Sequence, residues 1–109
     1  MRMTAKLGIN VRINSCGKGL RIVHIASVIT SGDIGENYTT FPNTLIGEGR
    51  RGGNPVLGNR VTTYPGAVVV GKVTIADGVW VAANAFVNKS CSEENAILAG
   101  VPAKIIGRR

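Results

Sequence analysis

The sequence predicts an all-β protein, a single-stranded parallel β-helix of about four coils with one protruding loop and an extended C-terminal tail. Steps of six residues from Ile22 land on Ile22, Val28, Ile34, Thr40 and Ile46. After a break they land on Leu57, Thr63, Val69, Ile75, Val81 and Val87, so that nine of the eleven positions are aliphatic and two are threonine. A six-residue period fits neither a helix, at about 3.6, nor an alternating strand, at about 2. Four residues beyond each step lies a mostly small or β-branched partner: Ala26, Gly32, Thr44, Val61, Ala67, Val73, Val79, Ala85 and Cys91, with Tyr38 the large exception.

A longer repeat lies within the first. Ile34-Gly-Glu-Asn-Tyr-Thr-Thr-Phe-Pro-Asn-Thr-Leu-Ile46 matches Leu57-Gly-Asn-Arg-Val-Thr-Thr-Tyr-Pro-Gly-Ala-Val-Val69 at an offset of 23 residues. That offset is one coil of three hexads plus five residues. It places Thr39, Thr40, Phe41 and Pro42 beneath Thr62, Thr63, Tyr64 and Pro65.

Each hexad supplies a short strand and a corner, with its aliphatic residue turned inward. Small residues at the fifth position keep the narrow prism from overfilling. The glycines directly after inward residues (Gly35, Gly47, Gly58) are expected where a corner needs backbone freedom. One coil cannot bury its own interior, so stability is a nearest-neighbour sum along the stack. In chain order, residues 1–19 are out of clear phase and are expected to form an N-terminal cap or partial coil. Residues 47–56, rich in Gly and Arg, break the phase and are expected to protrude from a corner. Residues 99–109 lose the phase and are expected to fold back along the outside. At 109 residues the whole, 1–109, reads as one domain.

The chain carries 13 Lys and Arg against 6 Asp and Glu, a net charge of +7. A solvated basic surface is the first reading of that excess, and an anionic small ligand such as a nucleotide cofactor the second. No helix-turn-helix, zinc finger or aromatic-interleaved basic strand supports nucleic acid as a partner. No apolar run approaches the ~20 residues of a membrane span, and no signal-peptide core is present, so a cytoplasmic location is expected. Cys16 and Cys91 have no metal-ligand spacing and fall on inward positions, as buried small hydrophobes in a reducing compartment do. His24, the single histidine, lies two residues after the inward Ile22 and should face outward. An imidazole with a pKa of about 6.5 can accept a proton near neutrality.

Gly19-Leu-Arg-Ile-Val-His24, the excursion ending Gly-Gly-Asn-Pro55, Val81-Ala-Ala-Asn-Ala-Phe-Val87 and Ala99-Gly-Val-Pro-Ala-Lys104 occur in the order seen in serine acetyltransferases. Over about residues 7–106 the chain resembles the C-terminal domain of that family and of capsule- and polysaccharide-type O-acetyltransferases. The resemblance implies a left-handed coil, a homotrimer with active sites between subunits, and acetyl-CoA as co-substrate without a metal. It implies His24 as the general base on the acceptor hydroxyl, with Asn14 and Asn54 on the acceptor side. Gly66, Ala67, Ala82, Ala83 and Asn84 would line the CoA groove, and Lys89 and Lys104 would face the CoA phosphates. The acceptor would be serine or a similar small hydroxyl compound.

The chain also departs from that pattern. No acid stands in residues 8–14, where the family carries an Asp that orients the histidine. Asn54 stands for a second active-site histidine, and Tyr64-Pro65 for a usual Gly-Ala. The family's N-terminal helical domain has no counterpart here, so a simple trimer is expected. Two other readings follow: a sugar or polysaccharide O-acetyltransferase, and a non-catalytic trimeric scaffold. A zinc site of the kind found in β-helix carbonic anhydrases would need several histidines from different coils.

Overall fold

The computed structural model describes residues 2–3, 10–12, 16–22, 28–29 and 32–109, and every regular element among them is a strand. In chain order these are β1 (Arg2–Met3), β2 (Asn10–Arg12), β3 (Arg21–Ile22), β4 (Val28–Ile29), β5 (Asp33–Ile34), β6 (Thr39–Thr40) and β7 (Leu45–Gly47). After the phase break come β8 (Val56–Leu57), β9 (Thr62–Thr63), β10 (Val68–Val70), β11 (Thr74–Ile75), β12 (Trp80–Val81) and β13 (Phe86–Val87). The chain ends with β14 (Ala96–Ala99) and β15 (Lys104–Arg108). His24 and Asn14 lie outside the described residues.

The strands stack into three sheets that form the sides of a prism. The first face runs β1-β2-β4-β7-β10-β13, the second β5-β8-β11, and the third β3-β6-β9-β12-β14-β15. The chain visits third, first and second face in rotation, and every pairing from β2 through β14 is parallel. Such rotation is what a period of six demands: one two-residue strand and one corner per face. The protein is thus an all-β, left-handed parallel β-helix.

The inward ladders are those set by the period. Ile34, Leu57 and Ile75 stack on the second face, with bridges to Cys16 below and Cys91 above. Thr40, Thr63, Val81 and Leu98 stack on the third, and Ile46, Val69 and Val87 on the first. Apart from the half-buried Cys16, all of these are buried, together with Val61, Ala67, Val73, Val79 and Ala85 at the corners. The 23-residue repeat is borne out as stacking, since Thr39 pairs with Thr62 and Thr40 with Thr63.

Tyr38, large for its slot, is fully buried. Its hydroxyl lies 2.6 Å from Thr63 Oγ1, which donates to Thr40 Oγ1 at 3.3 Å. Threonines are shorter than Ile or Leu, so they leave room for the phenol and satisfy its hydroxyl. Burial pushes the Tyr38 phenol up to about 12, against the pull of the two threonine hydrogen bonds.

Gly35 and Gly58, each after an inward residue, serve space rather than backbone freedom. Gly35 and Gly58 are not among the positive-φ residues. A Cβ on Gly35 would meet the Gly58 carbonyl oxygen at 2.7 Å and its carbon at 2.8 Å. The left-handed corner positions fall elsewhere, on Asn37, Asn43, Arg60, Gly66, Gly78, Asn84 and Asn95. Most are Asn or Gly, the residues for which that conformation costs least.

The two terminal strands turn antiparallel. β1 runs against β2 at one end, and β15 runs against β14 at the other. Residues 100–103 pass over the last strand of the first face, where Phe86 N–H donates to Gly100 O and Ala103 N–H donates to Phe86 O. Backbone groups that a parallel stack would leave open are thereby paired by an antiparallel strand.

Candidate functional site

The corners between the third and first faces repeat one local design. Tyr64-Pro65-Gly66-Ala67 lies between Phe41-Pro42-Asn43-Thr44 on one side and Ala82-Ala83-Asn84-Ala85 on the other. Gly66 N–H donates to Pro42 O at 3.1 Å, and Asn84 N–H donates to Pro65 O at 3.0 Å. Asn43, Gly66 and Asn84, at the same place in each corner, all take φ near +60° to +80°. This turn leaves the first two residues of each corner pointing outward and the fourth pointing in.

Along this edge lies a shallow apolar cavity of about 270 Å³, lined by Tyr64, Pro65, Trp80, Ala82, Ala83 and Ile97. Its wall is an aromatic ledge. Phe41 and Tyr64 stack with centroids 5.0 Å apart and planes 13° from parallel. Tyr64 meets Trp80 edge-on at 5.9 Å, and the Arg109 guanidinium sits 4.7 Å above the Trp80 ring. The repeat pointed to the Phe41–Tyr64 pair. It gave no sign of Trp80, which joins the ledge because β12 pairs in register with β9.

Of the groove residues, Gly66, Ala82, Ala83 and Asn84 share this corner. Ala82 is half-buried, Ala83 and Asn84 are exposed, and the Asn84 side chain packs over the bare face of Gly66. Ala67 is fully buried, so its methyl fills the core. Its N–H donates to Tyr64 O and its carbonyl accepts from Leu45 N–H. Ala67 therefore shapes the corner from inside.

Lys89 and Lys104 are exposed and share a second cavity, of about 280 Å³, with Ser90, Cys91, Ala103 and Ile105. Asn54 is exposed on the excursion between β7 and β8. That excursion walls a third cavity of about 530 Å³, whose lining includes Arg50, Arg51, Lys72, Phe86 and Asn88. Its position was legible from the phase break; the side chains facing it from the next coil were not.

Chemically, these surfaces supply an apolar trough edged by small side chains and two sets of cations. Among the described residues, no carboxylate and no histidine lines any of the three cavities. Among the described residues no three His, Cys, Asp or Glu side chains converge as a metal site, and no helix is long and apolar enough to cross a membrane. Cys16 and Cys91 are unbridged, and burial pushes the Cys16 thiol up.

Comparison with known proteins places this architecture. No family model matches the chain. It is 33% identical over 97 residues to a serine acetyltransferase of Mycobacterium tuberculosis, an alignment covering 84% of this chain and 42% of that protein. The solved serine acetyltransferase of Neisseria gonorrhoeae superposes with a TM-score of 0.82 at 24% identity, over 93% of this chain and 41% of the other. A serine acetyltransferase of Brucella abortus strain S19, solved in complex with coenzyme A, superposes with a TM-score of 0.79 at 26% identity, over 86% and 40%. The chain thus spans about two fifths of the length of these relatives.

Proposed function

We propose that this chain, a hexapeptide-repeat β-helix resembling serine acetyltransferase in sequence and fold, is a CoA-dependent O-acetyltransferase. It moves the acetyl group of acetyl-CoA to the hydroxyl of serine or a similar small acceptor. The observation that carries this reading is the 33% identity to a serine acetyltransferase across 84% of the chain. The likeness to an enzyme solved with coenzyme A, at 26% identity, adds to it.

On this reading His24 is the general base. A hydroxyl with a pKa of about 15 attacks a thioester slowly until a positioned base takes its proton, an effect of about 10² to 10⁴ in rate. The acceptor oxygen bonds to the acetyl carbon, the carbon–sulfur bond breaks, and the proton held by His24 passes to the departing thiolate. Asn14 and Asn54 orient the acceptor by hydrogen bonding.

The apolar trough beside Ala82 and Ala83 suits pantetheine, because small side chains let a thin chain lie close to the backbone. Gly66 and Asn84 set that corner, Ala67 supports it from the core, and Lys89 and Lys104 face the phosphates. The single domain acts as a homotrimer with its active sites between subunits. Two unbridged cysteines fit the reducing cytoplasm.

The test is release of CoA thiol from acetyl-CoA in the presence of serine, wild type against His24→Ala. Transfer that collapses in the variant supports the reading. Equal background in both proteins refutes it.

A further inference from the structure

The cavity of about 530 Å³ beneath the 47–56 excursion carries an unbalanced charge. Among the described residues three cations line it, Arg50, Arg51 and Lys72, and no carboxylate does. Among the described residues none of the three is in an ion pair, the salt bridge there being Arg108 to Glu93. Three positive charges around one concavity raise the local potential, so each carries a cost that an anion in the cavity would remove.

The cavity is also a built one. A Cβ on Gly49 would meet Gly71 Cα at 2.6 Å, and one on Gly53 would meet Lys72 Cβ at 2.6 Å. The excursion therefore lies flat on the next corner, held closed by a Gly49 N–H to Gly53 O bond of 3.2 Å and a Gly52 N–H to Gly49 O bond of 2.9 Å. Two arginines from the excursion and a lysine from the corner above thus line one space, together with Phe86 and Asn88.

We propose that this cavity binds a phosphate monoester dianion. A zwitterionic amino acid would need a carboxylate here to meet its ammonium group, and none lines the cavity. A phosphate monoester offers acceptor oxygens only and carries close to two charges above its second pKa of about 6. Planar guanidinium groups match those oxygens in pairs. The phosphate belongs either to a phosphorylated acceptor or to the 3′-phosphate of CoA. This assignment of the ligand rests on the acetyltransferase reading; the anion site itself does not.

The experiment is calorimetric titration with glycerol 3-phosphate, CoA and dephospho-CoA at low salt. The proteins are the wild type, the Arg50→Ala/Arg51→Ala variant, Lys72→Ala, and Lys18→Ala, an exposed cation away from the three cavities, as a control. Glycerol 3-phosphate should saturate at one per chain, bind more tightly as the pH rises through about 6, and weaken about tenfold or more in the arginine variant. Lys18→Ala should leave it unchanged.

If CoA binds more tightly than dephospho-CoA and competes with glycerol 3-phosphate, the phosphate is the cofactor's. Equal affinities without competition assign it to the acceptor. CoA binding with no saturable glycerol 3-phosphate binding and no preference over dephospho-CoA would overturn the proposal while leaving the transferase reading intact. Phosphate binding that survives in the arginine variant would overturn it as well. Phosphate binding without any CoA binding would sustain the anion site and count against the transferase reading.

Discussion

Tyr38→Phe should trade a deficit at neutral pH for an advantage in alkali, and the exchange point follows from the geometry. Tyr38 is fully buried and its hydroxyl lies 2.6 Å from Thr63 Oγ1. Removing the hydroxyl leaves Thr63 still donating to Thr40 at 3.3 Å, so no buried group is orphaned. The net loss is that of the hydroxyl's hydrogen bonding to the threonines, about 0.5–1.5 kcal/mol. Ionisation works the other way. The phenol is pushed from 10.0 up to about 12 in the folded protein. A group whose folded pKa is raised contributes its full stability below the unfolded value and loses it as pH climbs toward the folded one. The wild type therefore weakens by about 1 kcal/mol at about pH 11 and by about 3 kcal/mol beyond about pH 12, whereas the phenylalanine variant escapes this loss. Urea unfolding of both proteins from about pH 8 to about pH 12 cancels the titration they share. The wild type should be the more stable at about pH 8, equal between about pH 10 and about pH 11, and the weaker above it. A gap that stays constant across the range would refute the buried network.

Three shorter tests bear on the stack and the groove. Gly35→Ala should cost about 1–3 kcal/mol in urea unfolding, because its methyl meets the Gly58 backbone, which cannot move aside. Gly107→Ala, with nothing within 4 Å, should stay within about 0.5 kcal/mol. Arg109→Ala should alter the emission of Trp80, the single tryptophan, and cost no more than about 1 kcal/mol. Lys104→Ala should weaken CoA binding severalfold in calorimetry while leaving the unfolding midpoint in place, as expected of an exposed cation.

The fold was legible because its signal is repeated. Ile34, Ile46, Leu57, Val69, Ile75, Val81 and Val87 each occupy the inward step that the period assigned, and the 23-residue offset placed Thr40 under Thr63. A one-dimensional period says less about what happens between coils. Tyr38 looked like a misfit because its partner, Thr63, is 25 residues away. Gly35 looked like a hinge because its neighbour across the stack, Gly58, is 23 residues distant, and only their closeness shows that the missing Cβ is the point. Trp80 and Lys72 belong to outward positions, where the pattern places no constraint on residue type. They join the ledge and the basic cavity through pairing with earlier coils. Ala67 shows the reverse: an inward step in the period, it could not also present its methyl to the groove.

On the proposed function, the edge beside Tyr64, Pro65, Ala82 and Ala83 receives acetyl-CoA. The most direct test is titration of acetyl-CoA into the purified protein by calorimetry, with Trp80 emission followed in parallel and free CoA as the comparison. Saturable binding near one per chain, with a change in Trp80 emission that tracks it, is the predicted result. An absence of binding heat together with an unmoved Trp80 signal would contradict acetyl-CoA binding at this edge and leave the ledge as a structural feature of a scaffold.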